Sequence, residues 1–267
     1  MPPTLDIAMS RRGSGEPVVL LHGIGHRRQA WDPVIGLLER DHEVIAVDLP
    51  GFGESPPLPA GQRYDMPTTI SNFRSIFADL SLDRPHIVGN SLGGAIALEL
   101  GARDVVRSVT AISPAGFWTP TDRRYALMLL GSLRLTAMAP EPTLRRIARS
   151  PRMRARSMRP IFAHAERFTE REFLDDARNM ARSPGYKPTA RAGSSYDCHA
   201  VPVVPTTIAW GTRDHVLKPR QAEIARRRLP AARHVSLPGC GHVPMIDDPE
   251  LVAQVIRLGV TRESAAA

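Results

Sequence analysis

His86-Ile87-Val88-Gly89-Asn90-Ser91-Leu92-Gly93-Gly94-Ala95 is a short apolar run that meets a serine with a glycine two residues away on each side. The run predicts a buried strand, and Ala95, Ala97 and Leu98 carry the chain straight into a helix. A serine on so sharp a strand-to-helix turn projects its hydroxyl above the sheet edge. The flanking glycines are required because side chains there would collide with the neighbouring strand and helix. With 20 glycines in 267 residues the string alone is a modest signal. Its weight comes from what surrounds it.

Upstream, Glu16-Pro17 leads into Val18-Val19-Leu20-Leu21, which is stopped by His22-Gly23-Ile24-Gly25 and predicts another buried strand. Trp31, Val34, Ile35, Leu37 and Leu38 repeat at helical spacing. Glu43-Val44-Ile45-Ala46-Val47 is a β-branched run that ends in Asp48-Leu49-Pro50-Gly51-Phe52-Gly53. Ile70, Phe73, Ile76, Phe77 and Leu80 predict an amphipathic helix, and Val105 to Ile112 a further strand. This alternation predicts an α/β fold, a mostly parallel central sheet with helices on both faces.

The alternation stops at Gly116. From Phe117 to about Tyr196 only helical patterns appear: Tyr125 to Met138, Thr143 to Ile147 and Thr169 to Ala181, punctuated by Pro140, Pro142, Pro151, Pro160, Pro184 and Pro188. The sheet pattern resumes with Val203 to Trp210, a helix from Gln221 to Arg228, a strand around His234 to Leu237 and a closing helix from Pro249 to Leu258. One core domain, 1–116 and 197–267, interrupted by a helical insertion, 117–196, is more economical than two domains in series.

Hydrophobic residues at 42% and charged residues at 23% exclude a disordered, collagen-like or coiled-coil chain. No apolar run approaches the roughly 20 residues that span a bilayer, and MPPTLDIAMSRRG does not read as a signal peptide. The expectation is a cytoplasmic protein with no membrane partner. Cys198 and Cys240 cannot make a disulfide framework, and Cys240 with His242 lacks a second ligand pair, so neither a structural zinc nor a cofactor is expected. Lys and Arg number 35 against 27 Asp and Glu, a formal charge of +8. Arginines crowd 123–191, among them Arg145, Arg146, Arg149, Arg152, Arg154, Arg156 and Arg159, but aromatics at 5% are not interleaved with them. Stacking on bases needs such interleaving, so a solvated basic surface is expected rather than a nucleic-acid site.

A serine hydroxyl is a weak nucleophile. It needs an imidazole to take its proton and a carboxylate to orient that imidazole. Trp210-Gly211-Thr212-Arg213-Asp214 places a carboxylate just past one strand, and Gly239-Cys240-Gly241-His242 places a histidine just past the next. With Ser91 all three fall at strand carboxyl ends, where open α/β sheets hold ligands. His26, His42, His86, His164, His199, His215 and His234 sit in no such motif and stay outside the catalytic set. Asp48 fits a structural turn, and Asp247 and Asp248 fit the capping of the last helix.

These stretches resemble the α/β-hydrolase family, in particular its lid-bearing bacterial branch of esterases and C–C bond hydrolases. The resemblance covers nearly the whole chain, through LLHGIG at 20–25, DLPGFGES at 48–55, GNSLGG at 89–94, WGTRD at 210–214 and GCGHVPMIDDPE at 239–250. The order Ser91, Asp214, His242 is the order that sheet uses. The resemblance implies that 117–196 is a cap over the site. The backbone N–H of Leu92, at a helix start, is one candidate oxyanion donor. By the resemblance Ile24, after His22-Gly23, is the second, and His22 holds its loop.

Serine at the nucleophile position sets the chain apart from the haloalkane dehalogenases and epoxide hydrolases of the family, which use aspartate there. The leading expectation is hydrolysis of carboxylic esters or thioesters through an acyl-enzyme intermediate. The alternative is cleavage of a C–C bond in a vinylogous diketone substrate, to which Gly89-Asn90-Ser91 is also similar. Cofactor-free perhydrolysis and a non-catalytic binding role stand behind these. The expected partner is a small-molecule ester or ketone. Leu127, Met128, Leu130, Leu133, Leu135 and Met138 offer apolar surface for it, and a cap arginine would be needed to hold a substrate carboxylate.

Overall fold

Val18–Val19–Leu20–Leu21 lies inside a seven-stranded sheet in the computed structural model, which describes residues 5–261. The strands are β1 (Met9–Arg12), β2 (Glu16–Leu21), β3 (His42–Val47), β4 (His86–Asn90), β5 (Ser108–Ile112), β6 (Thr206–Gly211) and β7 (Arg233–Leu237). Their spatial order is β1-β3-β2-β4-β5-β6-β7. All pairs are parallel except β1 with β3. β1 has no counterpart in the sequence pattern, because Met9-Ser10-Arg11-Arg12 is a polar edge strand with no apolar alternation to betray it.

The helices among the described residues are α1 (Asp32–Leu38), α2 (Met66–Asp79), α3 (Leu92–Gly101), α4 (Pro120–Ala137), α5 (Glu141–Arg149), α6 (Pro151–Met158), α7 (Glu170–Arg182), α8 (Tyr186–Gly193), α9 (Arg220–Arg228), α10 (Pro244–Asp247) and α11 (Pro249–Val260). Alternate residues of the central strands feed two apolar cores, one on each face. Val19 and Leu21 pack with α2, α3 and α9, while Val18 and Leu20 pack with α1 and α11. Each fully buried aliphatic side chain there contributes about 1.5–3 kcal/mol. None of the described helices is long and apolar enough to cross a membrane.

α4 to α8 all lie between β5 and β6 in the chain. Two of them, α6 and α8, carry no helical period that the sequence reading could find. Pro-Arg-Met-Arg-Ala-Arg-Ser-Met has no apolar stripe, and α8 carries Pro188 in its first turn, where a missing N–H costs nothing. Reciprocal capping boxes fix two helix starts, Thr119 with Asp122 on α4 and Thr169 with Glu172 on α7. Asp122 also pairs with Arg220 of α9, tying the start of α4 to the sheet domain.

β2 lies between β3 and β4, so the chain reverses its direction of strand addition there. Ligands of open α/β sheets bind beside such a switch point, at the carboxyl ends of the strands. The loop after β2 and the turn after β4 meet at that place: a Cβ on Gly23 would stand 3.2 Å from the Cβ of Ser91.

Candidate active site

Ser91 has φ 56° and ψ −113°, a conformation that L-residues avoid and that local structure must enforce. The turn leaves no room for side chains at its flanks. A Cβ on Gly89 would fall 2.0 Å from the Gly93 carbonyl oxygen, and one on Gly93 would fall 2.3 Å from that of Leu21. The Ser91 N–H donates to the Ile112 carbonyl at 2.9 Å and its own carbonyl accepts from Ala95 and Ala115, so three neighbouring segments pin the strained residue.

His242 and Asp214 come together from the ends of β7 and β6. His242 Nδ1 lies 2.8 Å from Asp214 Oδ2, with both side chains nearly buried. The other carboxylate oxygen, Oδ1, accepts N–H bonds from Val216 and Leu217, each 2.8 Å. A carboxylate so held accepts, so the proton between it and the ring belongs to Nδ1, and Nε2 is left with a free lone pair. The two loops are clamped by Arg213 N–H to Cys240 carbonyl at 2.8 Å and by Gly211, where a Cβ would meet the Gly241 carbonyl oxygen at 2.3 Å. The Asn90 amide donates to the His242 carbonyl at 2.9 Å and to the Ile112 carbonyl at 3.2 Å, linking the histidine loop to the serine turn.

The loop after β2 is organised by His22. Its Nε2 accepts the Leu49 N–H at 3.0 Å, which leaves Nδ1 protonated and donating to the Gly23 carbonyl at 2.7 Å. Burial pushes its pKa down to about 4, so the ring is neutral at pH 7. The adjacent Ile24 N–H has no acceptor among the described residues, and the Leu92 N–H opens α3, where helical donors are unpaired.

Ser91, His242, Asn90 and Ile24 line one cavity of about 840 Å³ of empty space, part of it open to solvent. Its other walls come from the helices after β5: Leu130 and Leu133 of α4, Leu144 of α5, Met158 of α6, and Phe173 and Met180 of α7. Among the described residues no lysine or arginine lines it. Its polar features away from Ser91 are few, chiefly His26 and Asp176, whose side chains approach to 4.0 Å. His26 Nδ1 accepts the Arg27 N–H at 3.0 Å, and burial lowers its pKa, so a neutral ring presents Nε2–H toward Asp176. Neither residue has a motif to reveal it. His26 is visible in the sequence only as a neighbour of His22-Gly23-Ile24-Gly25.

Two other carboxylates have structural partners. Asp48 is fully buried and accepts from the N–H groups of Arg28 at 2.6 Å and Glu54 at 2.9 Å, as well as pairing with the Arg28 guanidinium. Asp248 caps α11 through the Leu251 N–H at 2.9 Å. Asp247, expected beside it as a cap, does something else. It accepts from Gly241 N–H at 2.7 Å, His164 N–H at 2.7 Å and Ala163 N–H at 3.1 Å, joining the His242 loop to the helical segment. His242 N–H also donates to the Ile161 carbonyl at 2.8 Å. Burial raises the Cys240 pKa to about 12, leaving an inert thiol. No group of three or more metal-ligating side chains occurs among the described residues.

Residues 18–255 match the family model described as the alpha/beta hydrolase family, and the chain belongs to that family. A lipase of Moraxella sp. (strain TA144) is 27% identical over 241 residues, 88% of this chain and 74% of the lipase. An epoxide hydrolase of Mycobacterium tuberculosis is 32% identical over 188 residues, 67% of this chain and 86% of that protein. The structure of a thermophilic esterase from Thermogutta terrifontis superposes with a TM-score of 0.74 at 22% identity, covering 97% of both chains.

Proposed function

We propose that this hydrolase cleaves carboxylic esters through Ser91, His242 and Asp214. The observation that carries the reading is the 2.8 Å contact between His242 Nδ1 and Asp214, in a cavity that Ser91 and His242 share. His242 Nε2 takes the Ser91 proton as Oγ attacks the acyl carbon, and the Ile24 and Leu92 N–H groups stabilise the oxyanion that forms. Collapse expels the alcohol, which leaves with the proton from His242. A water activated by the same Nε2 then hydrolyses the acyl-serine. Residues 117–196 act as a cap, a role supported by the cavity walls that α4 to α7 provide.

The rival C–C cleavage acts on a substrate that carries a carboxylate. Such a group wants a guanidinium or ammonium partner, and among the described residues the cavity has none while it does have Asp176. Its apolar lining suits an uncharged acyl group. The epoxide hydrolase likeness does not alter the reading, because serine at the nucleophile position supports acyl rather than alkyl-ester chemistry. The test is a panel of p-nitrophenyl esters of increasing chain length beside a vinylogous diketone acid, with a fluorophosphonate probe to label the nucleophile. Ester turnover with labelling at Ser91 is expected. Turnover of the diketone acid alone, or labelling elsewhere, overturns the reading.

A further inference from the structure

The N–H of Ile24 shares a planar peptide unit with the Gly23 carbonyl, so whatever holds that carbonyl aims the N–H. Two donors hold it. His22 Nδ1–H bonds it at 2.7 Å, and the His26 N–H donates to it at 3.1 Å. The His26 N–H in turn shares its peptide unit with the Gly25 carbonyl. Neither that carbonyl nor the next one, at His26, accepts from a backbone N–H among the described residues. Gly25 also takes φ 76°, a region open chiefly to glycine, the least restrained residue. The sheet therefore leaves half of this loop unsecured.

The missing bonds come from α7. Asn179 Nδ2 donates to the Gly25 carbonyl and to the His26 carbonyl, both at 3.0 Å, and Oδ1 accepts the Gly53 N–H at 2.9 Å. Carbonyls only accept and an N–H only donates, so the amide has one workable orientation. Asp176, Asn179 and Met180 fall at i, i+3 and i+4, on one face of the helix. Asp176 pairs with Arg27 at 3.0 Å, and a Cβ on Gly25 would stand 3.1 Å from Met180 Cε. One helix face thus follows the loop from Gly25 to Arg27. Asn179 itself does not line the cavity that holds Ser91.

We propose that Asn179 is a positioning residue for the reaction: through the Gly25–His26 peptide it fixes the Gly23–Ile24 peptide, and so aims the Ile24 N–H at the oxyanion. The inference rests on the reading of Ser91 as the nucleophile, and adds that α7 completes the oxyanion hole besides walling the cavity. Turnover then depends on how α7 seats on the loop, without any contact between Asn179 and substrate. His22 still holds the Gly23 carbonyl when Asn179 is lost, so the effect is a misaimed donor rather than a deleted one.

The test compares Asn179→Ala, Asn179→Asp and Arg178→Ala in the full chain. Substrate is a p-nitrophenyl ester, and the inhibitor is a trifluoromethyl ketone, whose carbonyl carbon takes Ser91 Oγ to leave a stable oxyanion. Alanine removes all three Asn179 bonds, whereas aspartate keeps an acceptor for Gly53 and sets oxygen against two carbonyls. Both are expected to lower kcat about thirtyfold and to weaken the ketone by a similar factor, with KM within about threefold of wild type. Arg178 lies on the same helix but bonds Glu141 of α5 at 2.5 Å, so its variant is expected to stay within about twofold of wild type. Circular dichroism checks each fold, and aspartate carries the comparison if the alanine variant does not fold. A merely structural Asn179 would lower the urea midpoint and leave kcat and ketone affinity unchanged, which overturns the proposal, as does an equal loss in Arg178→Ala. Wild-type kinetics in Asn179→Asp overturns it too, because the two donated bonds would then be idle. A wild-type protein with no ester turnover and no fluorophosphonate label at Ser91 sinks the underlying reading, and the proposal with it.

Discussion

The carboxyl edge of the sheet and the helical segment 117–196 contribute to the same cavity by opposite means. At the sheet edge each functional group sits on a turn whose backbone is over-determined: Ser91 at φ 56° between two glycines that tolerate no Cβ, and Asp214 with both carboxylate oxygens occupied. In the helical segment, Leu130, Leu144, Met158 and Phe173 come from four helices and define only a shape. On the proposed reading, chemistry is placed by strained, densely bonded backbone, and selectivity by packing, which tolerates exchange of one apolar side chain for another.

The largest effects should therefore fall at the sheet edge. Ser91→Ala is expected to lower kcat by about 10⁵-fold or more with the fold retained, and Asp214→Asn by about 10⁴-fold through loss of the productive His242 tautomer. Steady-state kinetics with a p-nitrophenyl ester checks both. Leu144→Ala, in the helical segment, should instead change the preferred acyl length far more than kcat for the best ester. A folded Ser91→Ala protein with wild-type turnover would end the assignment.

Backbone constraint at the same edge gives the next effect. Gly93→Ala puts a methyl 2.3 Å from the Leu21 carbonyl oxygen, backbone against backbone, so neither side can move cheaply. A loss of about 3 kcal/mol or more is expected in urea unfolding, or failure to fold. Stability close to wild type would show that the elbow is less constrained than its geometry indicates.

His22 adds a pH dependence of similar size. Burial brings its folded pKa to about 4, below the ordinary value of 6.5, so the unfolded chain binds the proton more readily. Stability then rises with pH across that window. Acidifying from about 6.5 to about 4 should remove up to about 3 kcal/mol, with no further loss from this group below. His26 and His86, also lowered by burial, act in the same direction. The His22 share is the part of the slope missing in His22→Asn, measured by urea titrations between pH 7 and 4. An identical slope in that variant would refute the assignment of a neutral, buried ring.

The join between the two regions is where the sequence is least legible. Ser91, Asp214 and His242 each announce themselves by a local turn after an apolar run, and the alternation of runs is enough for the α/β architecture. Asp247 reads as a cap because its partners Ala163 and His164 are 84 and 83 residues away, and nothing near Asp247 encodes them. His26 and Asp176 likewise meet only through packing. β1 and α6 escape a sequence reading because polar residues occupy them, and their stability comes from pairing and capping rather than from an apolar period. Asp247→Asn probes this join directly. Asparagine has one acceptor oxygen for three N–H donors, so a loss of about 2 kcal/mol is expected, with kcat reduced about tenfold as the His242 loop loosens. A change in stability alone would mean that the helical segment does not help position His242.

The smallest effect has the opposite sign and belongs to the helical segment. Gly131 lies in the interior of α4 with negative φ, and nothing stands within 4 Å of the place a methyl group would take, whereas a methyl on Gly93, also helical, would meet backbone at 2.3 Å. Glycine in a helix interior costs about 0.5–1 kcal/mol relative to alanine, chiefly through the freedom it gives the unfolded chain. Gly131→Ala should therefore raise stability by about that amount, seen as a small increase in the urea midpoint with an unchanged slope. Gly131 does not line the cavity, so ester turnover should stay within about twofold of wild type. A destabilised Gly131→Ala protein would mean that α4 is not an ordinary packed helix at this point, and the contrast between a constrained sheet edge and a permissive helical segment would lose its clearest support.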